Sequence, residues 1–254
     1  MYDIAIFCSL NGSDIPSTMF DIVHLYILFS KHNMSKEIYL LSMNIEDTKK
    51  IFASEYLRLK TKGLVSDSLK EPIVHGFSVS TLKSLLKSHK RIIVSISGHG
   101  YSGIHDTNES DGRGEYIRAS RIIQDNELFH IFNIPSDILI LVDTCHSGTM
   151  IDLPIVMNSN GSYRIENKNI TKGNVVSISA VSDSKSSMDS FSIYGFGGNL
   201  ISNYIDFVLT NQYKHESLIK YMLIKSHIVS FSNERIIPST VSYGKHVSFT
   251  YKKV

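Results

Sequence analysis

Two cysteines, Cys8 and Cys145, are all that the 254 residues contain. Two thiols cannot make a disulfide framework for a chain of this size, which points to a reducing compartment. There is no CxxC or HxxxH spacing of the kind that builds zinc sites. No run of about 18–20 apolar residues is present, so no segment reads as a membrane span. The opening stretch MYDIAIFCSLNGSD lacks a basic region followed by a long apolar one, and it reads as mature protein from Met1 rather than as a signal peptide. Charge of one sign is also scarce: the formal net charge is +2. So mild and dispersed a balance, without a basic helix or an aromatic stacking platform, argues against nucleic acid as a partner. Internal repeats, low-complexity tracts and Pro-rich linkers are missing. The expectation is one cytoplasmic domain spanning 1–254, with no membrane partner.

What is present is enough apolar material, 42% of the residues, for a sizeable core. Short apolar runs predict strands over 2–10, 37–43, 91–97, 137–143, 174–180 and 245–251. Helical spacing predicts helices over 17–32, 46–63, 78–89, 195–211 and 215–231. Ser17 or Thr18 is a candidate N-cap for the first helix, and Gly63 a stop for the second. Asp125 is a candidate cap for a helix over NELFHIF. Two stretches rich in Asn, Ser, Gly and Asp, 101–116 and 149–173, read as long loops. Strands alternating with helices, and continuous apolar central strands, predict an α/β fold with a mostly parallel sheet covered on both faces. Such sheets place their chemistry beyond the carboxyl ends of the strands.

Two of the central strands run into reactive residues there: RIIVSISGHG ends at His99, and DILILVDTCHSG ends at Cys145. A cysteine attacks a carbonyl as thiolate and needs a neighbouring base, which an imidazole supplies near neutral pH. Backbone N–H groups near glycine suit a developing oxyanion, because no side chain blocks the approach. Cys8, inside an apolar strand, reads as packing. His146, adjacent to Cys145, is a competing base, and a zinc site from His99, Cys145 and His146 is a further alternative.

ISGHG followed by DTCHSG, with Cys145 46 residues after His99, resembles the His–Cys dyad of the caspase-like cysteine peptidases, and most closely the metacaspases; caspases space the pair by about 50 residues. DGRGEYIRASRIIQDNEL (111–128), CHSGTMIDLP (145–154) and NVVSISAVSDSKSS (174–187) are similar to the segments that metacaspases carry in the same order. The likeness covers 1–210 and weakens after about residue 211. It implies a caspase-like three-layer sandwich and a monomer. The Lys and His of the predicted last strand, 245–251, would protect a sheet edge. It also implies a cysteine endopeptidase cleaving proteins or peptides after Arg or Lys. Cys145 would be the nucleophile, His99 the proton acceptor, and the N–H groups of Gly100 and Cys145 the oxyanion donors.

A cationic side chain needs carboxylates to replace its water. Ser97 and Asp143 each lie two residues before a dyad member and so share its face, and Asp21 matches a helix carboxylate that completes the basic-residue pocket in metacaspases. Thr18 falls where members carry a small polar residue. A surface role for Asp21 on a solvated helix face is the alternative. The resemblance further implies calcium, held by positions matching Asp111, Asp125, Asn126 and Asp152. Asn126 stands where a second Asp is usual, and Gly114 replaces another acid while Glu115 remains. Both departures remove negative charge, which sets calcium affinity. Arg164, Lys168 and Lys172 make the second loop a candidate for self-cleavage. Two other functions stay open: a catalytically inactive interaction module or decoy, and a hydrolase of some other acyl substrate.

Overall fold

The computed structural model describes residues 1–10, 14–105, 113–157, 162–210 and 215–237. In chain order the elements are β1 (Tyr2–Ser9), α1 (Ser17–Lys31), β2 (Ser35–Ser42), α2 (Ile45–Thr61), β3 (Val74–Gly76), α3 (Val79–Leu86), β4 (Arg91–Ser97), β5 (Gly100–His105), β6 (Arg113–Arg118), β7 (Ile122–Gln124), α4 (Asp125–Phe132), β8 (Asp137–Asp143), β9 (Ile155–Met157), β10 (Tyr163–Ile165), β11 (Asn174–Ser179), β12 (Asp189–Ser192), β13 (Gly195–Gly198), α5 (Asn199–Thr210), α6 (His215–Ile224) and β14 (Ile228–Phe231).

Nine strands form one sheet in the order β10-β9-β14-β11-β8-β4-β1-β2-β3. From β11 to β3 every neighbour is parallel, and β14, β9 and β10 add an antiparallel edge. The pleat sorts side chains to two faces. Ala5, Phe7, Ile93, Leu139 and Leu141 pack with residues of α1, α2, α5 and α6. Ile4, Ile6, Cys8, Ile92, Val94, Ile96, Ile138, Ile140 and Val142 pack with residues of α3 and α4. The protein is thus a three-layer α/β sandwich with helices on both faces. Burying each such aliphatic side chain contributes roughly 1.5–3 kcal/mol against chain entropy. Among the described residues no helix is long and apolar enough to cross a membrane.

Local signals explain the element ends. Asn44 caps α2 by accepting the Asp47 N–H at 3.1 Å. Acidic residues in its first turn and basic ones in its last complement the helix dipole. Gly63 follows its end at φ +69°, the left-handed conformation that glycine adopts without strain. Helix α1 is buried on nearly every side, because the sheet lies on one flank and α2 and α5 on others. An apolar run without a polar face is what such a position requires.

Six expectations need correction. Pro16, not Ser17 or Thr18, caps α1; Thr18 Oγ1 is turned instead to Ser9 Oγ at 2.7 Å. Residues 101–116 are not simply a loop, since β5 and β6 pair as a hairpin within them. Residues 149–173 contain β9 and β10. The span 195–211 opens with strand β13, and its helix begins only at Asn199. The helix expected over 215–231 stops at Ile224: Ser226 turns the chain at φ +65°, and Ile228–Phe231 pairs with β11. Gln124 rather than Asp125 caps α4, Asp125 being its first residue. The strand expected over 245–251 lies outside the described residues.

Candidate active site

Strands β4 and β8 are direct parallel neighbours, with Ser97 opposite Asp143. The residues two beyond each strand, His99 and Cys145, therefore reach the same carboxyl-end rim. Both line one cavity of about 60 Å³, together with Ser17, Thr18, Asp21, Asp143, Ser187, Met188 and Asp189. Cys145 is partly buried, and its Sγ receives the Ser187 N–H at 3.3 Å. The His99 ring rests tilted against Tyr101 at 5.9 Å, and Tyr101 stacks on Tyr116 of β6 at 5.1 Å. The β5–β6 hairpin thus sets two stacked aromatic rings beside the imidazole.

Gly100 starts β5 directly against the backbone of Cys145. A Cβ there would lie 1.9 Å from the Cys145 carbonyl oxygen and 2.7 Å from Thr144 Oγ1, so only glycine fits. Gly100 abuts Cys145, whereas Gly98 is the glycine on the cavity wall. His146 is held elsewhere: at φ +50°, its Nδ1 donates to the Asp183 carbonyl, and it is not among the cavity's lining residues.

Asp21 is 2% exposed and Asp143 6%. The solvated-face alternative for Asp21 fails, because α1 has no solvated face at that turn. Asp21 Oδ1 accepts the Gly198 N–H at 2.7 Å. Asp143 accepts the Ile201 N–H at 3.1 Å and the Ser187 hydroxyl at 2.8 Å. The carboxylates converge on Gly198, where a Cβ would meet Asp143 Oδ2 at 2.4 Å and Asp21 Oδ2 at 3.0 Å. Burial, and then the Asp143 charge, push the Asp21 carboxyl well above its usual range. Burial pushes Asp143 up to about 6, against the lowering donors of Ile201 and Ser187. Ser97 is fully buried; it does not line the cavity, and its hydroxyl makes no hydrogen bond of good geometry among the described residues.

Ser187, Met188 and Asp189 are wall residues that the sequence does not mark as part of the site. Asp189, exposed at the start of β12, adds a third negative charge that raises both buried carboxyls. Met188 lies beside it on the wall. Ser187 touches both the sulfur and Asp143. No local pattern marks them, since they reach the cavity only through the β12–β13 hairpin. That hairpin is held by Arg58, which donates to the Tyr194 carbonyl and pairs with Glu55.

The residues expected to hold a cation are placed as follows. Asp111 lies outside the described residues. Asp125 is buried, with Oδ2 accepting the Glu115 N–H and Oδ1 the Asn126 N–H, both at 2.6 Å. Asp152 is buried and bonded to Asn167 and Asn169. Glu115 is 1% exposed and takes the Thr149 hydroxyl at 2.9 Å. Burial, and then the Asp183 charge, push its carboxyl up to about 8. Among the described residues no group of three or more His, Cys, Asp or Glu is arranged to hold a metal ion. Cys8 is fully buried on the face of β1 that packs against the α3–α4 layer, where burial pushes its thiol up.

No family model and no curated protein matches the chain. Among solved structures it is similar to a crystal structure of a protein from Geobacter sulfurreducens, at 15% identity and a TM-score of 0.48, over 90% of this chain and 91% of that one.

Proposed function

We propose that the protein is a cysteine endopeptidase of the metacaspase kind that cleaves after Arg or Lys. One observation carries the reading: a single cavity at the carboxyl ends of the strands is walled by a thiol, an imidazole and three carboxylates. The first two suit acyl transfer, and the others suit a guanidinium or ammonium. The substrate's basic side chain enters between Asp21 and Asp143, with Asp189 at the mouth. His99 takes the proton from Cys145, whose sulfur attacks the scissile carbonyl. The oxyanion is held by the N–H group of Cys145, which lines the cavity; the Gly100 N–H, the second donor that the metacaspase resemblance implies, belongs to a residue outside the lining. His99 returns the proton to the leaving amine. Water, deprotonated by His99, then splits the thioester and releases the thiol.

The test is hydrolysis of fluorogenic peptides ending in Arg, Lys, Asp or Leu. Wild type is expected to cleave the first two only, and Cys145→Ala and His99→Ala to lose roughly 10³-fold or more in kcat. Loss of none of that activity in Cys145→Ala would overturn the proposal. So would cleavage of esters but of no peptide, which would favour another acyl hydrolase.

A further inference from the structure

Asp152 presents three oxygens to one place, its carbonyl and both carboxylate atoms, and two side-chain amides occupy that place. Asn167 Nδ2 donates to the carbonyl at 3.1 Å and to Oδ1 at 2.6 Å. Asn169 Nδ2 donates to the carbonyl at 3.1 Å and to Oδ2 at 2.9 Å. The amides are themselves aligned, because the Asn169 N–H donates to Asn167 Oδ1 at 2.9 Å. Asp152 is 5% exposed and held at φ +53°, a conformation that Asp tolerates better than most residues. Its own N–H closes a turn onto the Thr149 carbonyl at 2.6 Å. That turn leads directly from the nucleophile, and Thr149 is braced by Asp183 and Glu115.

Converging oxygens of this kind suit a hard cation, which takes about six to eight of them. The described residues expected to supply them do not fit one. Both oxygens of Asp125 face backbone N–H groups, Asn126 brings no charge, and Gly114 brings no side chain. At Asp152 the donors stand where the ion would.

We infer that Asp152, Asn167 and Asn169 form an internal latch in which two amides take the place of a bound cation and hold the segment 162–170 against the turn that follows Cys145. The consequence falls on Lys168, which is exposed but flanked by the two clamped asparagines. A protease needs an extended, displaced segment to cut, so an exposed lysine in a pinned one is protected until the segment opens. The same holds for Arg164, which is paired into β10 and bonded to Glu166. Self-cleavage in this loop is therefore governed by release of the latch rather than by calcium.

The experiment uses the full chain carrying Cys145→Ala, so that its outcome is independent of the peptidase reading. Trypsin is added, and cutting at Lys168 is followed with calcium and with chelator. The latch predicts equal, slow cutting in both, and cutting at least tenfold faster in Asn167→Ala/Asn169→Ala, since charge-assisted hydrogen bonds are lost. Hydrogen exchange over 162–170, measured on the parent protein, covers the case of a double variant that does not fold: protection in chelator is expected to equal that in calcium. Asn167→Asp/Asn169→Asp gathers three carboxylates and should melt lower, with calcium restoring the loss. The inference is overturned if calcium alone protects the segment. It is equally overturned if calcium raises the melting temperature of the parent protein and Asp152→Asn abolishes that rise.

Discussion

The chain buries two groups of acids, Asp21 with Asp143 and Asp125 with Asp152, and they are satisfied differently. Asp21 and Asp143 converge on one glycine beside a cavity, with Asp189 adding charge at its mouth. Their donors are too few to offset burial and mutual repulsion, and both carboxyls are raised. Asp125 and Asp152 stand apart from that cavity, and each of their oxygens has an N–H donor. A carboxylate whose donors are internal contributes to folding. A pair crowded at a hole costs stability and gains only when a cation arrives. The contrast separates acids crowded beside a cavity from acids satisfied within the fold without any appeal to residue type.

The largest expected effect comes from exchanging the two groups in mutagenesis. Asp143→Asn should cut kcat/KM for an Arg peptide roughly 100-fold or more, the loss of one partner of a buried charge pair, and leave the melting temperature unchanged or higher. Asp152→Asn should do the reverse, holding kcat/KM within about threefold while lowering the melting temperature by about 5 °C. Equal losses of activity in both variants would dissolve the comparison.

A smaller effect follows from pH. Asp143 ionises at about 6 in the folded protein and at about 3.9 unfolded. Because the folded carboxyl is raised, its contribution to stability is fully present below the unfolded value and lost as pH rises through about 6. Ligand affinity runs the other way, because a cation wants the ionised form. Binding of agmatine to Cys145→Ala protein, measured by calorimetry, should strengthen about tenfold between pH 5 and 7.5. A flat profile would mean that the cation does not displace this proton.

The sheet, its helices and the placing of His99 and Cys145 on the wall of one cavity were legible because each rests on local pattern: apolar runs, alternation, and a reactive residue just past a strand. The burial of Asp21 was less legible, because a lone Asp on a helix more often faces water; MFDIVHLYILF leaves α1 no polar face for it. The β12–β13 hairpin was not. Its apolar residues Phe191 and Ile193 are exposed, its glycines mimic a helix start, and it is held by Arg58 from far away in the chain. Strand β14 was hidden for a similar reason. Three apolar residues, Ile228, Val229 and Phe231, continue the periodicity of the helix before them, and nothing in the sequence announces the turn at Ser226.

The finest test of the comparison is Glu115, which resembles the cavity acids in its raised carboxyl but not in its surroundings. It is buried away from the cavity and takes the Thr149 hydroxyl, with Asp183 close by. With its ionisation pushed up to about 8, it is mostly neutral at pH 7, and its share of stability is lost as pH rises through that value. Glu115→Gln preserves the shape and the neutral state. Its melting temperature should match wild type within about 2 °C at pH 7 and exceed it by roughly 2–4 °C at pH 9, where only the wild type must bury a charge. Parallel melting curves across that range would mean that Glu115 is already ionised in the folded protein, and that burial alone does not set the two groups of acids apart.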